Sequence, residues 1–306
     1  QVNPSIKILI LESSHRVGGR ILKEDRAQMG AKFVHDDFCR FFSKCNINKY
    51  SFRLGSLKNK SSVITESMRL EETGSISKKI HKDVLKYGNE ANVPYDFWEF
   101  LQILKDDLQI KYKTPYSSYE FKNDYYLVNG KYKTEKIIFA LPPNVLKGLD
   151  NPYRTLFRHW DQGNVITLAF MLDNKQNIEK LGTGFFFLEE FPKTSFYFDN
   201  QNFVLYVNLF NKYKNFSTHI IERKIVDKFS LKIYKLNKKE WSKGSHLQGA
   251  WTVPKSTLSP RIVETIEKGY NNSIFYLGDY LGDISSMGTV TSCMRSAERL
   301  VKRIYR

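Results

Sequence analysis

An α/β fold with an added α+β part is what this sequence predicts, on three observations. The first is the start of the chain, where Ile6, Ile8, Leu9, Ile10 and Leu11 form an apolar run ending in Glu12. A run of this kind, rich in β-branched residues and closed by a polar turn, reads as a strand buried on both faces. The second is the run Ile137, Ile138, Phe139 and Ala140, stopped by Leu141-Pro142-Pro143. Proline ends strand pairing there because it offers no backbone donor. The third is the run from Ile274 to Leu277, which ends in Gly278-Asp279. A carboxylate at the C-terminal end of a buried strand, such as Glu12, is where dinucleotide-binding folds hold an adenosine ribose by its hydroxyls.

The bulk composition narrows the class. A chain of 306 residues suits roughly two domains of about 150 residues, or one large α/β unit. A hydrophobic fraction of 41%, with 22 Phe and 18 Tyr, is ample for a core and excludes wholesale disorder. The net charge is +16 and the pI near 9.5. That excess admits a polyanionic or acidic protein partner, or simply lysines spread over a solvated surface. No dedicated nucleic-acid motif accompanies it, and a positive field would not concentrate a cationic polyamine. Cys39, Cys45 and Cys293 form neither a metal-like pair nor a disulfide framework, which points to a reducing, intracellular and cytoplasmic setting. No metal site is expected. No apolar run approaches the ~20 residues of a membrane span. The opening residues are neither an initiator nor a signal peptide, so the natural N-terminus need not be in view.

In chain order, a polar turn after Glu12 leads to Gly18-Gly19 and Arg20. Gly30-Ala31-Lys32-Phe33 follows, with His35, and Gly30 suits close backbone approach to a ligand. Residues 38–45 have helical spacing. Residues 51–92, charged and weakly periodic with Lys78, Lys79 and Lys82, read as helices and loops. Phe97, Trp98, Phe100, Leu101 and Leu104 are spaced for an amphipathic helix over 94–108. Asn129-Gly130 signals a hairpin whose second strand runs on to Ala140. Residues 163–173, 185–187 and 197–209 read as strands, the last two antiparallel. Residues 220–234 read as a helix with Ile221, Ile225, Val226 and Phe229 on one face. Gly182-Thr183-Gly184 is a turn, Trp241 a packing residue and His246 a loop histidine. The last helix buries a stripe of Val290, Cys293, Met294, Ala297, Leu300, Val301 and Ile304.

The stretch ILILESSHRVGGRI resembles the second-strand motif of flavin-dependent amine oxidases, and MGAKFVH follows it as a similar segment does in that family. The resemblance continues through the 128–140 hairpin and ALPP, GNVITLAF, the Trp251 region, IFYLGD and the final helix. It implies a Rossmann-like FAD domain of the amine-oxidase type, interleaved with a mixed-sheet and helical substrate domain. The FAD domain would comprise 1–50, 110–150 and 249–306, and the substrate domain 51–109 and 151–248. Non-covalent FAD would be held by Glu12, Gly18, Gly19, Arg20, Gly30, Ala31, Gly278 and Asp279. Gly288, Thr289 and Val290 would aim the N-terminus of the final helix at the flavin ring, where its positive dipole stabilises negative charge. Trp251 would line the substrate side, and the implied reaction is oxidation of a small amine with oxygen as final acceptor.

Three departures stand beside the resemblance. The position that normally carries a lysine next to the flavin is Thr167, and the nearest lysine, Lys175, lies beyond the strand. The second aromatic of the substrate cage falls at Ser285 or Ser286. Eleven residues precede Glu12, too few for the strand and glycine turn expected about 20 residues before it. Upstream residues could supply them, or the protein does without. Two further readings therefore remain open. One is a catalytically inactive relative serving as a structural or interaction protein in a larger assembly. The other is a related flavin oxidoreductase acting on another substrate, such as a desaturase.

Overall fold

The computed structural model describes residues 6–35, 62–64, 70–72, 91–94, 97–173, 184–188, 194–199, 202–210, 218–241, 249–282 and 287–304. The helix expected over 38–45, the 182–183 part of the turn, Lys175, His246, Ser285 and Ser286 lie outside these residues.

Strand β1 (Leu9–Leu11) is followed by the short hairpin β2 (Lys23–Glu24) and β3 (Ala27–Gln28), then β4 (Phe33–His35). Helices and loops are expected over 51–92, but the described residues there are strands: β5 (Ser62–Ile64), β6 (Leu70–Glu72) and the start of β7 (Ala91–Pro94). Strands β5 and β6 pair with each other, while β5 also pairs with β15 and β7 with β4, partners far away in sequence that local periodicity does not reveal. Helix α1 (Phe97–Lys105) forms where its apolar spacing places it, and β8 (Gln109–Lys111) follows. Next comes a meander of β9 (Tyr119–Lys122), β10 (Tyr125–Val128) and β11 (Tyr132–Thr134). Asn129 and Gly130, at φ 53 and 64, make the left-handed two-residue turn that Asn-Gly favours. The strand after that turn is not continuous. Thr134 Oγ1 donates to the Lys136 carbonyl and accepts the Lys136 N–H, so a side-chain turn replaces the ladder. The chain then enters β12 (Ile137–Phe139), in a different sheet.

Pro143 opens the short helix α2 (Pro143–Leu146), at a position where its missing N–H costs nothing. A 3-10 turn at Leu156–His159 leads to β13 (Trp160–Gly163) and the long strand β14 (Val165–Leu172). Strands β15 (Gly184–Leu188), β16 (Thr194–Asp199) and β17 (Val204–Phe210) follow, antiparallel, so the strand expected over 197–209 is two, with Phe203 left-handed at φ 53 just before the second. Helix α3 (Thr218–Phe229) ends earlier than the predicted 234. Ser230 turns left-handed at φ 50, the Leu231 N–H returns to the Val226 carbonyl, and β18 (Ile233–Glu240) begins. The remaining elements are β19 (Trp251–Pro254), α4 (Pro260–Lys268), β20 (Ile274–Tyr276) and α5 (Val290–Ile304).

The chain divides into two compact units, one of Gln1–Gly19, Glu99–Gly163 and Ser242–Arg306, the other of Arg20–Trp98 and Asn164–Trp241. In the first unit β1 pairs in parallel with β8, and β12 in parallel with β20. Strand β20 is buried at every position, and Phe139 stacks on Tyr276 with ring centroids 5.6 Å apart. Phe157, Trp160 and Tyr280 complete an aromatic core around them. Strand β1 differs from the expected doubly buried strand: Ile8 is 49% and Leu9 37% exposed. Its single partner among the described residues is β8, which covers one edge only. Helix α5 also turns a different face inward. Cys293 and Val301 are exposed, whereas Thr291, Ser292, Ser296 and Leu300 are buried. The small hydroxyl residues allow close approach, Ser292 Oγ donating to the Leu281 carbonyl and Ser296 Oγ accepting the Gly278 N–H.

The second unit is built on a seven-stranded sheet in the order β18-β14-β17-β16-β15-β5-β6. Alternation along β14 sorts its side chains between the two faces. Leu168, Phe170 and Leu172 pack on one face with Ile221, Ile225 and Phe229 of α3. Ala169 and Met171 pack on the other with Ala27, Met29, Tyr197 and Tyr206. Ile225 is fully buried, so Ile225→Ala should cost roughly 2–5 kcal/mol in urea unfolding. Ile220→Ala, at a residue 51% exposed on the same helix, should stay within about 0.5 kcal/mol of the parent.

Candidate functional site

In the first unit, Glu12 follows directly on β1. Its N–H donates to the Lys111 carbonyl and its carbonyl accepts the Thr114 N–H, both at 2.9 Å, so the two parallel strands fix its place. Its Oε1 accepts the Ser14 N–H at 2.8 Å, and its Oε2 has no partner among the described residues. The turn beyond closes on itself: Arg16 donates Nη1 to the Val17 carbonyl and Nη2 to the Gly19 carbonyl. Gly18 and Gly19, at φ 101 and 52, need glycine for that turn.

Asp279 lies just past β20 and is buried. Its Oδ2 accepts the Thr252 N–H at 3.0 Å and its Oδ1 the Thr252 hydroxyl at 2.7 Å. Its carbonyl accepts the Gly288 N–H at 2.7 Å. One residue thus holds the start of β19 and the approach to α5. At Gly288, a Cβ would lie 2.6 Å from the Thr252 carbonyl oxygen and 3.2 Å from the Trp251 ring. At Gly278 it would meet the Tyr280 ring at 2.3 Å. The chain's own packing therefore demands glycine at both positions. Thr289 caps α5, its Oγ1 accepting the Ser292 N–H at 3.1 Å, and Val290 opens the helix. Trp251 pairs with Gly163 across the β13–β19 ladder, and its indole fills the space a Gly163 side chain would take.

Beside the Trp160 indole N–H, two further side chains of this unit have buried polar groups without a hydrogen-bond partner among the described residues. They are the Thr291 hydroxyl, in the first turn of α5, and the Gln162 side-chain amide, against Gly249. Sequence reasoning singled out neither. An unpaired buried polar group costs on the order of 1–3 kcal/mol, so each calls for a polar partner. A flavin dinucleotide, rich in hydroxyls, phosphates and ring carbonyls, carries groups of the kind that the Thr291 hydroxyl, the Gln162 amide and the open Glu12 oxygen could pair with.

In the second unit, Arg20 and Gly30 are joined by the Ala31 N–H, which donates to the Arg20 carbonyl at 3.1 Å. A Cβ on Gly30 would fall 1.9 Å from that carbonyl oxygen, so only glycine fits. Thr167 is buried and donates its hydroxyl to Asn208 Oδ1 at 3.1 Å on the neighbouring β17. Trp241 is buried and donates its indole N–H to the Met29 carbonyl, the structural part expected of it.

Lys32 is the feature the sequence did not reveal as special. It is 7% exposed, and its Nζ stands 3.4 Å from the centroid of the Tyr206 ring, with no hydrogen-bond partner among the described residues. Burial pushes its amine down to about 7, with Asp199 pulling it part of the way back. Burial and the same Asp199 raise the nearby Tyr197 phenol.

No protein-family profile matches the chain, and no curated protein matches it in sequence. Solved structures do. Putrescine oxidase, as the wild type bound to putrescine, is similar with a TM-score of 0.75 at 11% identity, over 97% of this chain and 93% of that one. Cyclohexylamine oxidase from Brevibacterium oxydans IH-35A gives 0.73 at 10% identity, over 97% and 94%. At such identities the likeness is one of fold, and the α/β architecture is shared.

Lys32 has a consequence for stability. Its folded amine titrates near 7, against 10.5 for an unperturbed lysine, so between those values the unfolded chain binds more protons. Stability should therefore rise with pH across that window, by up to about 1.4 kcal/mol per pH unit, and the gain is lost as pH falls through 7. Lys32→Met should flatten that rise and be the more stable protein at pH 7, as read by urea unfolding from pH 6 to 10.

Proposed function

We propose that the protein is an FAD-dependent amine oxidase-like flavoprotein, binding the cofactor non-covalently and oxidising a small amine. The observation that carries this reading is the near-full-length likeness to an amine oxidase bound to its amine. The polar groups of the first unit support it. When bound, the flavin supplies the two-electron acceptor for a C–H bond beside an amine nitrogen, and molecular oxygen takes the electrons on.

The chain's own residues would bind and orient. The open oxygen of Glu12 would accept ribose hydroxyls at the C-terminal end of β1. Gly18 and Gly19 would give backbone access beside it. Gly288, Thr289 and Val290 would present the α5 N-terminus to negative charge, with the Thr291 hydroxyl gaining its missing partner. Asp279 would act from beneath, holding β19 and the approach to α5 in place through Thr252 and Gly288, beside Gly278. Trp251 would offer a flat apolar wall to the substrate. Arg20, Gly30 and Ala31 rest on the resemblance alone.

Thr167 favours the second reading, an inactive relative working through interactions. Its hydroxyl is committed to Asn208, and it carries no charge to orient water. The +16 charge would then serve an acidic or polyanionic partner.

Flavin spectroscopy separates the two. An active flavoprotein should purify yellow, or take up added FAD, and bleach anaerobically on addition of a small primary amine. A colourless, folded protein that takes up no FAD would leave the interaction reading. For a flavoprotein, Glu12→Ala should weaken FAD binding roughly tenfold or more, the worth of a hydrogen bond to a charged group.

A further inference from the structure

Lys32 stands outside the chemistry described so far. A buried lysine is ordinarily paired, yet Lys32 has no hydrogen-bond partner among the described residues. The carboxylate nearest in effect, Asp199, is already spent on its own turn. Its Oδ1 accepts the Asn202 N–H at 3.2 Å and its Oδ2 the Asn202 side-chain amide at 2.8 Å. The amine instead faces a fixed aromatic wall. Tyr206 stacks on Tyr197 with centroids 6.0 Å apart, and its hydroxyl accepts the Gln28 N–H at 2.8 Å, which holds the ring in place. The backbone just before Lys32 is pinned as well, by Ala31 on the Arg20 carbonyl.

A desolvated amine of this kind keeps its lone pair unspent. A lysine that sheds its proton near neutral pH is the form that attacks carbonyl carbon. The aromatic wall and burial also disfavour the water that would hydrolyse an imine.

We propose that Lys32 is a covalent capture site for small aldehydes. The Nζ lone pair attacks the carbonyl carbon, and the carbonyl oxygen becomes the hydroxyl of a carbinolamine. Loss of that hydroxyl with a nitrogen proton, as water, leaves an imine; nothing is oxidised or reduced. The inference rests on the amine-oxidation reading for its source of aldehyde, because the imine product of an amine hydrolyses to one. The capture chemistry itself belongs to Lys32 alone.

The test uses the whole purified chain at pH 7 with formaldehyde and cyanoborohydride, with methylation followed lysine by lysine in peptide mass spectra. At that pH about half of Lys32 is neutral, against a very small fraction of an ordinary lysine, so Lys32 should be methylated roughly tenfold or more ahead of the exposed Lys131 and Lys238. Its rate should level off above pH 7 while theirs keep rising. Tyr206→Leu, which removes the wall and admits water, should bring Lys32 back toward the surface rate, and Lys32→Arg should delete the early adduct. Methylation of Lys32 no faster than of Lys131 in the parent protein overturns the proposal. No amine and no flavin enter the assay, so its failure leaves the oxidase reading untouched. A missing flavin spectrum likewise leaves this result as measured.

Discussion

A single buried carboxylate ties together the part of the first unit that carries most of the candidate residues. A carboxyl group buried to 6% exposure needs hydrogen-bond donors, and Thr252 provides Asp279 with two of them. Because one donor is the backbone N–H, the pairing fixes the path of β19 as well as a side chain. The Asp279 carbonyl does the same for Gly288 and so for the entry into α5. Trp251 and the helix N-terminus are thus placed by contacts that serve the fold first. Close packing explains the glycines here as fully as ligand approach does. The Gly278 and Gly288 Cβ positions are taken by Tyr280 and by Thr252 with Trp251.

The second unit obeys a different constraint, the two-residue period of a strand. Strand β14 separates an aliphatic and aromatic core on the α3 side from a face that accommodates polar atoms. Thr167 and Ala169 share that second face, and Tyr206, the partner of Ala169, meets the Lys32 amine. The arrangement puts an uncharged hydroxyl where the resemblance leads one to expect an ammonium, and an amine against the ring of the pair next along the strand.

Much of this was legible in the sequence, and the failures have physical causes. The Asn129-Gly130 turn, the β14 strand, the start of α3 and the β20 strand are local features, and local residues specify them. The predicted helix overran α3 by five residues, into the first two of β18, because neither glycine nor proline marks the turn at Ser230. On α5 the buried face is Thr291, Ser292, Ser296 and Leu300, and the two serines are held by hydrogen bonds to Leu281 and Gly278 that no hydropathy pattern encodes. The exposure of β1 depends on how many strands flank it, which is a property of topology. Lys32 was invisible for the same reason: a lysine in a short motif gives no sign of whether it meets water or a tyrosine ring. Of the candidate site, the unpaired Thr291 and Gln162 groups could not be read in advance.

Strand β18 closes one end of the seven-stranded sheet, and such an end offers unpaired backbone groups to any passing chain. Lys235 and Lys238 stand exposed along it, with Lys235 anchored to Asp25 and Lys239 lying over the Trp241 ring. A second molecule docking there edge to edge would bring like charges together and have to strip their hydration. Some of the positive charge thereby acquires a purpose that needs no polyanion. Exposed lysines on a sheet edge disfavour edge-to-edge pairing.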